Sequence, residues 1–96
     1  MRIIFTETAL KDLDQIFEYL ASNYPKLIGA VEQRIDSVLA RLQDWPESAR
    51  RVTQRTNIRV APLVRYPYRI FYRVTNEAIE IVHIRHTSRR PWEDDS

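Results

Sequence analysis

The sequence predicts an α+β domain with the element order β-α-α-β-β-β, in which an N-terminal strand and a helical hairpin pack on a small antiparallel sheet. Two changes along the chain predict this order. Up to about residue 43, apolar residues recur at a spacing of three or four, which is typical of amphipathic helices. From residue 58 onward they alternate with polar residues, which is typical of strands. A length of 96 residues fits one domain, and we expect residues 1–96 to form it.

The first strand and the first helix are predicted at the N-terminus. The short run from Arg2 to Phe5 predicts a strand, and the following stretch, Thr6-Glu7-Thr8, supplies side chains that cap helices. Residues 9–21 then form a predicted amphipathic helix that Tyr24-Pro25 ends. Its apolar stripe consists of Leu10, Leu13, Phe17 and Leu20.

A second amphipathic helix is predicted over residues 26–43. Its apolar stripe consists of Ile28, Val31, Ile35, Val38 and Leu42. Because the link between the two helices is a short turn around Pro25, we expect them to form an antiparallel hairpin. Residues 45–51 are turn-like.

Three consecutive strands are predicted over residues 58–64, 68–75 and 78–87, which are rich in β-branched and aromatic residues. Asn76-Glu77 is predicted to form the hairpin turn between the last two strands. Pro62 has no N–H to donate to a strand ladder, so we expect its strand to lie at an edge or to be interrupted there.

The predicted turn determines which residues of the last two strands share a face. It places Arg73 opposite Glu80, Phe71 opposite Val82 and Arg69 opposite Ile84. These residues and His86 are expected on an open face. The other face is more apolar and is expected to pack on the helices; it contains Tyr68, Ile70, Tyr72, Val74, Ile79, Ile81, His83 and Arg85. A one-residue bulge would exchange the two faces beyond it.

The charge is distributed unevenly along the chain. Residues 1–49 hold five basic and eight acidic residues, whereas residues 50–92 hold ten arginines and two acidic residues. Arginine is suited to bidentate contact with phosphate or carboxylate groups. The C-terminal half is therefore predicted to bind a polyanion or an acidic partner.

Several classes of function are excluded or disfavoured by composition. The chain has no cysteine, which excludes disulfides and thiolate zinc sites, and its two histidines make a poor metal site without further ligands. We expect no metal and no cofactor. The apolar run at the N-terminus stops after three residues, so we expect neither a signal peptide nor a membrane span, and a cytoplasmic protein.

Two stretches, "ETALKDLDQIFEYLASNYP" and "YPYRIFYRVTNEAIEIVHIRHTSRRPW", together resemble the RelE/ParE superfamily of bacterial toxins from type II toxin-antitoxin modules. The run from Tyr68 to Val74, the alternating run from Ile79 to Ile84, and His86 followed by Arg89 carry the resemblance. It implies one of two activities. RelE-like members cleave messenger RNA in the ribosomal A site, ParE-like members poison DNA gyrase, and a cognate antitoxin inhibits both.

The chemistry of RNA cleavage separates the two branches. Cleavage without a metal needs a base, a cation for the phosphorane charge and an acid for the leaving oxygen. Arg69 stands where the resemblance implies a phosphate-contacting arginine, but Thr87 and Ser88 stand where nucleases carry a tyrosine or histidine. The only two lysines lie in the helical hairpin. We therefore expect a ParE-like gyrase inhibitor that acts by binding.

Two alternatives remain open. One is a ribosome-dependent ribonuclease that uses Arg69 and His86, and the other is a non-toxic module that binds peptides or nucleic acid. His83 is expected to be structural.

The surface that we expect to bind the antitoxin and the target lies in the C-terminal half. An acidic antitoxin segment, folding as it binds, is expected to cover Arg69 and the Phe71/Val82 face in a hetero-complex. The end of the last strand, with Trp92 as an anchor, adds to this surface. The expected contact residues are Arg65, Arg69, Phe71, Arg73, Val82, Ile84, His86, Arg89, Arg90 and Trp92.

Overall fold

In the computed structural model, which describes residues 1–52 and 57–87, two helices pack on one face of a five-stranded sheet. A single 3₁₀ turn, Pro25–Leu27, joins the helices. In chain order the elements are β1 (Arg2–Phe5), α1 (Glu7–Asn23), α2 (Ile28–Asp44), β2 (Arg50–Arg51), β3 (Arg59–Pro62), β4 (Tyr68–Val74) and β5 (Ala78–His86). The α+β class is confirmed.

The helical hairpin forms where the sequence predicts it. Thr6 is the N-cap of α1, and its hydroxyl accepts a hydrogen bond from the N–H of Ala9 at 3.1 Å. The buried residues of α2 belong to the predicted stripe. Of the predicted stripe of α1, Leu13, Phe17 and Leu20 lie in or against the core, but Leu10 is 51% exposed, and Ala9 and Ile16 are buried instead.

The sheet has the strand order β1-β5-β4-β3-β2, and β1 pairs with β5 in parallel while the other pairs are antiparallel. The sheet is thus mixed, and it includes a short strand, β2, where only a turn was predicted. Because β2 pairs only with Arg59 and Val60, Pro62 lies beyond its reach. Among the described residues, β3 is therefore an edge strand at Pro62, as expected.

A β-bulge at Val82 changes the register between β4 and β5. Arg73 lies opposite Glu80 and Tyr72 opposite Ile81, but Phe71 then lies opposite His83. The predicted pairs of Phe71 with Val82 and of Arg69 with Ile84 were therefore wrong. One extra residue on a strand exchanges the faces of every residue beyond it.

The exchange corrects four face assignments. Ile84 packs in the core under the helices, with 3% of its surface exposed, and His86 lies opposite Tyr68 on that same face. His83 and Arg85, which were predicted to face the helices, instead lie opposite Phe71 and Arg69 respectively, on the other face of the sheet.

The face of the sheet away from the helices carries a second, smaller hydrophobic cluster. It is built around Phe71, which is 1% exposed, and Val82 packs against it while remaining half-buried. The other members are Val52, Ile58 and Val60. This face is therefore not bare, because the chain around β2 and β3 already covers its centre.

Candidate functional site

Arginines surround the second hydrophobic cluster on the open face of the sheet. Arg69 on β4 lies directly opposite Arg85 on β5, and both are half-buried. Strand alternation places Arg73 on the same face, and Arg50, opposite Val60, joins them. We call Arg50, Arg69, Arg73 and Arg85 the basic face.

The Arg69–Arg85 pair gives the basic face its chemical character. Like charges directly opposite each other on neighbouring strands are destabilising unless an anion compensates for them. Arg73 forms an ion pair with Glu80. Guanidinium groups bind phosphate and carboxylate in bidentate geometry, and this is the chemistry that the basic face offers.

A carboxylate from α1 reaches the edge of β5 just beyond the bulge. Oδ2 of Asp12 accepts a hydrogen bond from the backbone N–H of Ile84 at 3.0 Å. Nδ1 of His83 lies 3.1 Å from the same oxygen, and both side chains are about four-fifths buried, with 16% and 21% exposed. Asp12 thus links the first helix to the last strand and orients the His83 ring.

A groove runs between α1 and the C-terminal end of β5. It encloses about 400 Å³, and we call it the α1–β5 groove. Its lining combines apolar, aromatic and charged side chains: Asp12, Gln15, Ile16, Tyr19, Tyr68, Ile84, Arg85 and His86. Arg85 therefore borders both this groove and the basic face.

Two aromatic rings form one wall of the groove. The ring of His86 meets the ring of Tyr68 edge-on, with centroids 5.5 Å apart. Burial raises the pKa of the Tyr68 phenol above its ordinary value, and the neighbouring Tyr19 adds to the rise. Tyr68 therefore stays neutral at physiological pH and keeps its hydroxyl proton.

The predicted contact residues are distributed over several places. Arg65 and Arg73 are exposed and Arg69 is half-buried, so all three are accessible. Phe71 and Ile84 are buried, in the second cluster and the main core respectively. Val82 packs against Phe71, and His86 lines the α1–β5 groove. Arg89, Arg90 and Trp92 lie outside the described residues.

Sequence reasoning missed Asp12 and Arg85 as site residues. Arg85 was assigned to the core because the bulge was not visible in the alternation. Asp12 stands 71 positions from His83, and no local pattern joins them. Arg69 and His86, the residues considered for RNA cleavage, lie on opposite faces of the sheet.

The described residues contain no cluster of three or more histidine, cysteine, aspartate or glutamate side chains that could hold a metal ion. Within residues 1–52 and 57–87, neither helix is long and apolar enough to cross a membrane. The described site offers guanidinium, imidazole, phenol and carboxylate groups.

Comparisons with known proteins identify the family. Residues 3–91 match the ParE toxin of type II toxin-antitoxin system, parDE. No curated protein matches the chain. Among solved structures, it is similar to a chain of the chromosomal ParDE TA system from P. aeruginosa, with 26% identity, a TM-score of 0.76, and coverage of 90% of this chain and 95% of that chain.

A second solved structure shows the same fold at lower identity. The isolated E. coli RelE toxin is 18% identical, with a TM-score of 0.65, and the alignment covers 98% of this chain and 92% of that one. A match over nearly the whole chain, together with the shared fold, shows that this protein belongs to the ParE toxin family of type II toxin-antitoxin systems.

Proposed function

We propose that this toxin inhibits DNA gyrase in the cytoplasm and that a cognate antitoxin neutralises it. Family membership supports the proposal, and the pair of opposed arginines, Arg69 and Arg85, is the observation that carries it. Gyrase bound to DNA presents phosphates and acidic side chains, which are the groups that guanidinium binds in bidentate geometry. The basic face is the proposed contact with this target.

The proposed inhibition is by binding alone. Hydrogen bonds that involve a charged group contribute about 1.5–3 kcal/mol each, so two arginines on one anion would add to the stability of a complex. Val82, which packs against Phe71 between these arginines and is half-buried, adds apolar contact. Such a toxin would bind gyrase or the complex of gyrase with DNA, and the toxin itself would neither form nor break a covalent bond.

The test is a gyrase supercoiling assay with the purified toxin. We expect inhibition that Arg69→Gln or Arg85→Gln weakens by about 10- to 100-fold, the range that corresponds to one charged hydrogen bond. Arg41→Gln is the matched control, because Arg41 is exposed on α2, away from the basic face. Undisturbed supercoiling at micromolar toxin would contradict the proposal.

A second candidate function is RNA cleavage, and the Asp12–His83 contact favours it. A carboxylate that orients an imidazole is a common arrangement for a general base, and Arg85 lies two residues further along the same face. Primer extension on messages from induced cells tests it. Cleavage sites that disappear with His83→Gln would favour this function over gyrase inhibition. If growth continued after the protein was induced, the result would favour the non-toxic binding module instead.

A further inference from the structure

The turn between β3 and β4, residues 63–67, has its backbone held at both ends. The N–H of Leu63 donates to the carbonyl of Tyr68 at 3.0 Å, which closes the turn. The carbonyl of Pro67 accepts a hydrogen bond from the N–H of Thr87 at 2.8 Å, which joins the turn to the end of β5. Leu63 is also fully buried in the main core. We call these residues the β3–β4 turn, and its anchored backbone supports the side chains at its tip.

Val64, at the tip of the β3–β4 turn, has a backbone conformation that valine rarely adopts. Its φ of 45° lies in the left-handed region, where a β-branched side chain is strained and where glycine and asparagine are usual. The other non-glycine residue with a positive φ within residues 1–52 and 57–87 is Asn57, a residue type that suits that conformation. Val64 is 77% exposed, so burial within the chain does little to offset its strain. Strain of this kind persists at binding sites, where a contact with a partner compensates for it.

The β3–β4 turn continues the basic face. Pro62 on β3 lies opposite Arg69 on β4, and Arg69 lies opposite Arg85 on β5, so these residues form one row across the same face of the sheet. Val64 follows Pro62 by two positions, and the exposed Arg65 comes directly after it. An exposed apolar side chain thus adjoins the arginines that we propose as the contact with gyrase.

The composition around the turn indicates what kind of partner fits it. Residues 48–76 contain seven arginines and no acidic residue, so electrostatic complementarity favours an anionic partner. The tip itself is largely apolar, because Pro62, Val64 and Pro67 are all exposed. An aliphatic side chain gains from burial in an apolar pocket, whereas contacts with the backbone of DNA are made to phosphates and sugars. A protein surface with a pocket beside acidic side chains combines both features.

We propose that Val64 is the apolar anchor of the toxin on gyrase, inserted into a pocket of the gyrase protein beside acidic side chains that contact Arg65 and the basic face. The proposal rests on the proposed function, because it takes gyrase as the partner. A side chain on a preformed turn loses little conformational freedom on binding, so most of its burial contributes to affinity. Val64 therefore determines how tightly, and in which orientation, the toxin binds its target.

Three substitutions separate the side chain of Val64 from its strain. Val64→Asn removes both, so we expect the melting temperature to rise by about 4–8 °C, as for a modest strain in a domain of this size, and inhibition of supercoiling to weaken at least about tenfold. Val64→Thr keeps the strain but replaces a methyl group by a hydroxyl, so we expect inhibition at least about fivefold weaker with little change in melting temperature. Val64→Ile keeps both properties and should inhibit like the wild type.

The matched control is Asn57→Gly, at the other position with a positive φ, which should leave inhibition unchanged within about twofold. Inhibition by Val64→Asn or Val64→Thr equal to that of the wild type would overturn the anchor. A Val64→Asn toxin that melts below the wild type would also overturn it, because the valine would then stabilise the turn.

Two binding measurements test the kind of partner. Calorimetric titration with the cognate antitoxin should give affinities within about twofold for the wild type and Val64→Asn. A gel-shift assay with duplex DNA alone should show no difference between these two proteins. A loss in either assay as large as the loss of inhibition would assign Val64 to the antitoxin or to DNA, and would overturn its place on gyrase.

Growth arrest on induction separates the anchor from the proposed function. If the toxin arrests growth but leaves gyrase active, the proposed target is wrong; loss of arrest with Val64→Asn then keeps Val64 as the anchor on another protein, and unchanged arrest refutes the anchor as well. If the wild type and Val64→Asn inhibit gyrase equally, the anchor is wrong and the target is kept.

Discussion

The two halves of β5 differ in what surrounds them. The first half, Ala78 to Ile81, lies between β1 and β4, and three of its four residues are at most 2% exposed. We call it the enclosed half. The second half, which we call the open half, begins at the Val82 bulge and has β4 on one side and α1 on the other. It contributes His83, Arg85 and His86 to the candidate site. The comparison shows that the polar and cationic groups occur where regular pairing on both edges ends.

The two halves are nevertheless joined in one strand with continuous pairing to β4. A strand that is fully paired and buried in its first half is a rigid support, and the bulge re-aims the side chains that follow. Bulges are frequent beside functional sites for this reason. The enclosed half therefore positions the half that carries the candidate binding groups.

The largest effect that we expect is on stability in the enclosed half. Ile81→Ala removes a fully buried side chain and should lower the free energy of unfolding by about 2–5 kcal/mol. Val82→Ala, one residue further on, removes a half-buried side chain and should cost less. Urea denaturation measures both, and equal costs would contradict the contrast between the two halves.

A smaller effect is expected at the contact between Asp12 and the open half. Asp12→Ala leaves the N–H of Ile84 without its acceptor and should cost about 1–3 kcal/mol. Amide exchange should accelerate at Ile84 and stay unchanged at Ile79, whose segment is paired on both sides. Asp14→Ala, at an exposed position of the same helix, is the control, and similar exchange at Ile84 in both variants would show that Asp12 does not hold this edge.

The smallest effect is expected at the ion pair on the open face of the enclosed half. Arg73 and Glu80 have side chains that are 51% and 26% exposed, and exposed pairs contribute about 0–1 kcal/mol. A double-mutant cycle with Arg73→Gln and Glu80→Gln should give a coupling energy in that range, and less at high salt. A coupling well above 1 kcal/mol would mean that this half depends on its surface charges as well as on its buried residues.

Much of the fold follows from local sequence patterns. The Thr6 cap, the stripe of α2 and the Arg73–Glu80 pair were all predicted, because each depends on residues that are close in sequence or next to the hairpin turn. Counted away from the hairpin turn, the predictions of register failed from Phe71 onward, where the opposite strand has one extra residue. A periodicity of two carries no signal for such an addition unless a polar residue falls on the core face.

Such a signal was present at His83 and Arg85. Continuing the alternation from Ile81 assigned both polar residues to the core and left Ile84 on the open face. The structure buries Ile84 and places His83 and Arg85 away from the core face, which is the more favourable arrangement because an aliphatic side chain gains from burial and a cation does not. A conflict between pattern and polarity is therefore the feature by which this bulge could have been found.

The sequence by itself determined the elements, their order, the hairpin turn and the accumulation of arginine in the second half, since these depend on short-range periodicity and composition. Only the tertiary structure decided which arginine faces Arg69, which histidine Asp12 contacts, and where the pairing of β1 along β5 ends. The Arg69–Arg85 pair depends on the bulge at Val82, which the balance between burial and main-chain pairing places. The contacts of Asp12 depend on packing between α1 and β5, and they join residues 71 and 72 positions apart, a separation that no local pattern spans.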